Sequence, residues 1–351
     1  MEKSGAPTIA TVAELAGVSI STVSRALRNH PLVPARTAER IQRIAAEAGY
    51  RTNPFVSTLM SHLRMSKPIP FQASIALLDS MENPHKWKEW SVHRCFDEGA
   101  RKRAVELGYH VDRIWIGEPG LTSQHLTRLL RSRGIHGVIL LPLGDRNFRG
   151  REIPLDLNSF SMVTLGCKTA DPHLYFASND QFATGQLARQ RLEEMGYTQV
   201  AFLTPEYVDK IVEERFLAGF LHPAGSYSHR SVSILRYGKS QPRRDLSEWL
   251  RNKKLDAVCS VLPETYRWLV ELGLKIPENL GFLTLDWEPN THGWAGVDQN
   301  HTHVAETAMN LLVQLLQSSQ TGSPRHSSGV ITEGVWVDGA SLPVKKPAAN
   351  S

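Results

Sequence analysis

The stretch Ala16-Gly17-Val18-Ser19-Ile20-Ser21-Thr22-Val23-Ser24-Arg25-Ala26-Leu27 reads as the end of one helix, a glycine turn and a second short helix opened by a serine. Val18, Val23, Ala26 and Leu27 are spaced to face inward. That leaves Ile20, Ser21, Thr22 and Arg25 at an exposed helix start, a short polar end offered to something outside the protein.

Working outward, Thr8 is placed to cap a helix running to about Leu15, with Val12, Leu15 and Ala16 on one face, and Gly17 ends it. Ser19 caps the second helix through a free N–H near Thr22. A third helix is predicted from about Pro34 to Ala48, with Ile41, Ile44, Ala45 and Ala48 as its apolar face and Gly49 as its stop. Three short helices around one small core is the helix-turn-helix plan, whose second helix enters the DNA major groove. Charge agrees with that expectation. Residues 1–70 hold nine Lys or Arg against four Glu, an excess equal to the +5 of the whole chain, so residues 71–351 sum to zero. A basic head on a neutral body suits polyanion binding at one end.

Next comes Asn53-Pro54-Phe55-Val56-Ser57-Thr58-Leu59-Met60-Ser61-His62-Leu63-Arg64, a capped helix with too many apolar positions to be stable alone. It is expected to pair with a copy of itself or press into a groove. Lys67-Pro68-Ile69-Pro70 reads as a linker. Beyond it, apolar strands alternate with amphipathic helices. Strands are expected at Ser74–Leu78, Val111–Ile116, Val138–Pro142 and Met162–Leu165, with helices at Trp90–Leu107 and Leu121–Arg133. A second set is expected to start near Tyr175, with helices at Gln181–Met195, Glu213–Leu221, Asp245–Asn252 and Tyr266–Leu272. Its strands are expected at Val200–Leu203, Ser231–Arg236, Ala257–Val261 and Gly281–Leu285. A long helix, Val304–Leu316, and a closing strand, Gly329–Val337, complete the pattern. Such alternation builds doubly wound parallel sheets, and two of them place a ligand cleft at their strand ends.

From Thr8 to Leu59 the chain resembles the lac-repressor/galactose-repressor family of bacterial transcription regulators. The shared pattern is V-A-x-x-A-G-V-S-x-x-T-V-S-R-x-L from Val12 to Leu27, then a third helix, Gly49-Tyr50, and Asn53-Pro54 opening a hinge helix. The resemblance implies base-edge contacts from Ile20, Ser21 and Arg25, and phosphate contacts from Ser19, Thr22, Ser24 and Asn53. Thr8 joins this DNA-binding set, and Leu59 matches the leucine that wedges into the minor groove as a pair across a dimer. For the body it implies a periplasmic-binding-protein-like effector domain. Asn179-Asp180, Arg215 before Ala218-Gly219-Phe220, and Leu285-Asp286-Trp287 match the family's ligand segments, so Asp180, Arg215 and Asp286 are expected to contact ligand. Trp87 and Trp287 are expected to supply stacking platforms, and Trp90 and Trp268 are further tryptophans near the strand ends.

Three departures qualify the resemblance. Ile20 and Ser21 are short, so base readout should lean on Arg25 and on contacts with thymine methyls. The hinge reads Phe55-Val56-Ser57-Thr58-Leu59 where many relatives have Ala-Arg before the leucine. Leu262-Pro263-Glu264 stands where the family usually has Asn-Asp, which removes a common sugar-hydroxyl contact.

The expected organisation is a helix-turn-helix domain at 1–52, a hinge helix and linker at 53–70, and an effector-binding and dimerisation domain at 71–340. Subdomain A would comprise about 71–174 and 298–328, and subdomain B about 175–297 and 329–340, followed by a loose tail at 341–351. The expected function is a homodimeric regulator, a repressor, that binds a pseudo-palindromic operator in double-stranded DNA under control of a sugar-like effector. A solute-binding protein without DNA control is the alternative. No P-loop, nucleophile elbow or metal-ligand cluster points to an enzyme, and no cofactor is expected. Cys95, Cys167 and Cys259 are far apart and read as reduced thiols, and no apolar run approaches membrane-span length. With no secretory signal preceding Thr8, a cytoplasmic location is expected.

Overall fold

A computed structural model of the chain describes residues 8–27, 33–50, 73–81, 83–141, 155–169, 172–222, 232–238, 240–289, 291 and 293–345. The expected hinge helix and linker at 53–70, with Asn53 and Leu59, lie outside the described residues.

Three helices form the head: α1 (Ile9–Ala16), α2 (Ile20–Ala26) and α3 (Ala35–Glu47). Their shared core is Val12, Ala13, Ala16, Val23, Ala26, Ala38, Ile41 and Ala45. Leu15, expected on the apolar face of α1, is instead 61% exposed. Val12, Ala13 and Ala16 set the inward face of α1, and the helical phase then leaves Leu15 outside it.

The body contains two six-stranded sheets. The first has the order β11-β5-β4-β3-β1-β2, all parallel, from β1 (Ala73–Asp79), β2 (Tyr109–Trp115), β3 (Gly137–Leu140), β4 (Ser161–Leu165), β5 (Tyr175–Asn179) and β11 (Gly329–Thr332). Side-chain alternation along β1 shows why both faces must be covered. Ile75 and Leu77 pack with Phe96 and Ala100 of α4 (Ser91–Glu106) and with Ala308 and Leu312 of α11 (His301–Gln317). Ala76 and Leu78 pack on the opposite face with Leu126 and Leu130 of α5 (Ser123–Ser132).

The second sheet has the order β12-β10-β9-β8-β6-β7. Its strands are β6 (Val200–Pro205), β7 (Val232–Tyr237), β8 (Ala257–Ser260), β9 (Gly281–Thr284), β10 (Ala295–Asp298) and β12 (Val335–Val337). All pairings are parallel except β12, which runs antiparallel on β10. Phe202 of β6 packs with α6 (Gln181–Glu194) and α8 (Arg215–Leu221). Leu203 packs on the other face with α9 (Pro242–Leu250) and α10 (Glu264–Glu271).

Three expectations are revised. Tyr175–Asn179 belongs to the first sheet, so the chain crosses between lobes at Asp180 and not near Tyr175. The expected closing strand Gly329–Val337 is two strands, one in each sheet, with a crossing between Thr332 and Val335. The expected loose tail is tied down as far as Lys345. Ser341 Oγ donates to Phe282 O at 2.7 Å, Leu342 is 2% exposed, and Lys345 Nζ reaches Asp256 at 2.7 Å. Composition alone reads this segment as solvated, whereas Ser341 and Leu342 complete the second lobe. An additional helix, α7 (Glu206–Ile211), precedes α8 and stands apart from the single helix expected at Glu213–Leu221. Glu213 and Glu214 between them have φ of 54° and 58°, the left-handed region that non-glycine residues rarely occupy.

Helices α6 and α8 cross through paired glycines. A Cβ on Gly219 would lie 1.9 Å from Phe182 O, and one on Gly185 would lie 2.2 Å from Phe216 O. Both collisions are with backbone. Gly219→Ala should therefore destabilise the protein by about 1–3 kcal/mol in urea unfolding. Gly238→Ala, whose Cβ would meet nothing within 4 Å, should be near neutral and serves as the control.

Candidate DNA interface and ligand cleft

In the head, Thr8 and Thr11 cap α1 reciprocally, each side chain accepting from the other's backbone N–H at 3.2 Å. Gly17 ends α1 with φ 65° and ψ 35°, and its N–H reaches Ala13 O and Glu14 O. Ser19 then caps α2, accepting from Thr22 N at 3.2 Å, while its hydroxyl lies 2.8 Å from the hydroxyls of both Ser21 and Thr22. Helix α3 holds the two helix ends together. Arg40 Nη2 donates to Ala16 O at 3.1 Å and Gln42 Nε2 to Ala26 O at 2.9 Å, so two C-terminal carbonyls receive side-chain partners. Thr8, Ser19, Ile20, Ser21 and Arg25 are exposed, and Thr22 and Ser24 are half-buried. All of them sit on α2, its cap or the α1 cap, with Ser19 to Thr22 at the start of α2 and Ser24 and Arg25 towards its end. A helix start also offers unpaired N–H groups to phosphate.

In the body, a cavity of about 1030 Å³ is lined from both lobes. Asp286, which follows β9, lines it and lies 2.7 Å from His301 Nε2 at the start of α11. That contact joins the second lobe to the first. The other four expected ligand residues are absent from the lining. Asp180 Oδ1 caps α6, accepting from Phe182 N at 3.1 Å and Ala183 N at 3.0 Å, and Arg215 lies 3.9 Å from it. Trp87 stacks on the Arg113 guanidinium at 4.0 Å. Trp287 Nε1 donates to Trp294 O at 3.0 Å. Trp90 lines the cavity, whereas Trp268 packs edge-on against Tyr237.

The Arg113 contacts explain the geometry beside the cavity. Arg113 pairs with Asp79 at 2.7 Å and Asp97 at 3.1 Å, and Arg101 pairs with Asp97 at 2.7 Å. Asp79 ends β1 and accepts from Met81 N at 3.0 Å, so the buried ion network holds the Ser80-Met81 turn at the cavity wall.

Residues that the sequence did not single out prove central to this wall. Ser80 Oγ, His93 Nδ1 and Asn179 Nδ2 are buried without a hydrogen-bond partner among the described residues, and all three residues line the cavity. Asn179 adjoins Asp180, but consecutive side chains on an extended segment point opposite ways, and periodicity alone does not say which faces the cleft. Burial lowers the His93 pKa to about 4, with Arg113 and His301 adding to the effect and Asp79 opposing it. Burial raises the Glu288 carboxyl above its ordinary value, with Asp286 adding and a hydrogen bond from Ser91 opposing. The Cys167 thiol is pushed up to about 11 by burial, so at neutral pH it is a protonated wall group. Among the described residues no cluster of His, Cys, Asp and Glu is arranged to hold a metal ion. Nor is any helix there long and apolar enough to cross a membrane.

Residues 8–53 match the family model described as bacterial regulatory proteins, lacI family. All three helices of the head fall within the matched residues. One relative, the transcriptional regulator CelR of Thermobifida fusca, is 28% identical over 205 residues, which is 57% of this chain and 56% of that protein. The repressor PurR of Actinobacillus pleuropneumoniae is 23% identical over 344 residues, 90% of this chain and 92% of that protein. Among solved structures, a CelR–cellobiose complex matches with TM-score 0.59 and 22% identity, covering 95% of this chain and 99% of that one. The lac repressor dimer bound to operator and an anti-inducer matches with TM-score 0.56 and 18% identity, covering 97% and 100%. Both relatives are named as HTH-type transcriptional regulators or repressors.

Two measurements test the geometry. Ser19→Ala removes the α2 cap and should cost about 1 kcal/mol of helix stability, seen as faster hydrogen exchange at the Thr22 amide. For His93 the sign follows from its lowered folded-state pKa. Between about pH 6.5 and pH 4 the unfolded chain binds the extra proton, so stability from neutral His93 is lost as pH falls through that window. His93→Gln should therefore show a shallower fall in Tm from pH 7 to pH 4 than the parent protein.

Proposed function

We propose that this chain is a repressor that binds a pseudo-palindromic operator as a homodimer and responds to a sugar or sugar derivative in the cleft between its lobes. The exposed face of α2 and its cap carries the reading. Ser19, Ile20, Ser21 and Arg25 stand outward on a helix held from behind by Arg40 and Gln42 of α3, within the segment that matches the family. One head of this size contacts too few base pairs for specificity, and two heads reading two half-sites supply it.

Thr8, Ser19, Thr22 and Ser24 anchor the head to phosphates, and Arg25 reads bases, with Ile20 and Ser21 against thymine methyls. Asn53 and Leu59 extend the contact into the minor groove from the segment that joins head and body. In the cleft, Asp286 accepts a hydroxyl. Trp87, Asp180, Arg215 and Trp287, also expected at the ligand, are assigned supporting roles through the stacking, capping and ion-pair contacts described above. Because Asp286 also holds His301 of the other lobe, ligand that engages Asp286 acts on an inter-lobe contact and so favours one relative position of the lobes.

The test is selection of DNA from a randomised duplex pool by the full chain, followed by anisotropy titration of the enriched site. A two-fold-related site should emerge, affinity should fall steeply with added salt, and Arg25→Ala should weaken binding roughly 5-fold to 150-fold. Enrichment of nothing, of an asymmetric site bound by monomer, or unchanged affinity in Arg25→Ala would refute the reading.

A further inference from the structure

The two lobes line the cleft with different chemistry. From the first lobe come Ser80 Oγ, His93 Nδ1 and Asn179 Nδ2, three cavity-wall atoms that are buried without a hydrogen-bond partner among the described residues. His93 is 5% exposed and Asn179 4%. The Asn179 amide is fixed in orientation, since its Oδ1 accepts from Gln181 Nε2 at 3.0 Å, which leaves Nδ2 as the unused donor. A buried polar atom without a partner is costly, so three at one wall mark a place where a polar ligand supplies the missing bonds. A seryl hydroxyl, a neutral imidazole nitrogen and an amide N–H together require groups that both donate and accept, which is what vicinal hydroxyls do.

Beside Glu264, Arg267, Asp286, Glu288 and Thr291, the second lobe lines the cavity with apolar side chains. Helix α7 contributes Tyr207, Val208 and Ile211, followed by Val212 and Phe216. The turn after β8 adds Val261, Leu262 and Pro263, and Trp294 lies before β10. Leu262-Pro263 is the segment where hydroxyl-binding Asn-Asp was expected, so the sequence departure and the cavity wall agree. This apolar surface is wasted on a small polyol, which leaves it facing water in a cavity of about 1030 Å³.

The charges at the wall discriminate further. Four carboxylates, Glu89, Glu264, Asp286 and Glu288, line the cavity with three cations, Lys86, Arg94 and Arg267, and Lys86 is paired with Glu89 at 2.6 Å. Arg94 Nη1 is engaged with Lys88 O at 2.8 Å. Carboxylates outnumber cations at this wall, so it offers an anionic ligand no net attraction.

We infer that the effector is an uncharged glycoside whose sugar ring bonds Ser80, His93, Asn179 and Asp286, and whose apolar, ring-bearing aglycone packs on α7 and the Val261-Leu262-Pro263 turn. The inference rests on reading the cleft as the effector site. It differs from that reading in requiring an apolar group joined to the sugar.

Isothermal titration calorimetry on the full chain tests it with matched probes: free glucose, galactose and xylose, their methyl β-glycosides and their phenyl β-glycosides, with cellobiose and glucose 6-phosphate alongside. In at least one set the phenyl glycoside should bind at least tenfold tighter than the methyl glycoside. Leu262→Ala and Ile211→Ala, both at half-buried positions, should each lower the ratio of phenyl to methyl glycoside affinity several-fold. Asn179→Ala should weaken the two glycosides equally. Equal binding of phenyl and methyl glycosides in every set overturns the inference, as does tighter binding of cellobiose or glucose 6-phosphate than of the phenyl glycoside. Either result leaves a sugar-responsive regulator standing. Binding of no probe by protein that still binds its selected DNA overturns both the inference and the sugar reading, and leaves the DNA-binding reading intact.

Discussion

Burial of both faces of each sheet is the constraint on which the body depends. A parallel sheet covered by helices on both sides has no exposed face on which to carry polar chemistry, and only its strand ends remain. Asp79 ends β1, Asn179 ends β5, Asp286 follows β9 and Gln299 follows β10. Asn179, Asp286 and Gln299 line the cavity, and Asp79 holds the turn that does. Two such sheets supply two sets of strand ends, and the cavity lies where the sets meet.

The same ends are where the chain passes between lobes, so ligand and lobe position share a structural element. Asp180 caps α6 immediately after the first crossing, and its own N–H donates to Thr332 O, just before the last, at 2.7 Å. At the middle crossing Gln299 Nε2 donates to Leu285 O, and Asn300 adopts φ 53° before α11 begins. His301, the first residue of α11, then reaches Asp286. Polar groups near the crossings are therefore satisfied mostly by other residues near the crossings. A ligand competing for one of them changes a contact that both lobes use.

Much of this was legible in the residues. The head reads directly because its signals are local: Thr8 and Ser19 as caps, Gly17 as a left-handed stop, and Val12, Val23 and Ile41 at helical spacing. The alternation of strand and helix in the body is local too, and nearly every expected element is present within a few residues. Sheet membership is different, because pairing joins residues far apart in the chain. Tyr175–Asn179 looks the same whether it closes the first sheet or opens the second, and Gly329–Val337 looks like one strand until Gly334 is seen between two edges. The elbow at Glu213-Glu214 was hidden for another reason, since two glutamates in left-handed conformation contradict their own preference and are held there by their surroundings. Asp180, Arg215 and Asp286 were all expected from the resemblance; Asp286 lines the cavity, whereas Asp180 and Arg215 are engaged in capping α6 and in a partial ion pair.

By itself the sequence determined the class of protein, the three-helix head with its outward Ser19-to-Arg25 face, and the two-lobed parallel α/β body. These follow from capping, periodicity and charge within short windows, where the energetics are set by neighbours along the chain. Only the tertiary structure decided which sheet each crossing strand joins, that Ser341 and Leu342 complete the second lobe, and which polar groups face the cleft. Those outcomes turn on which distant surface buries a side chain and which distant partner satisfies its hydrogen bonds. Ser80, His93 and Asn179 are singled out because their packing is complete while their hydrogen bonding is not.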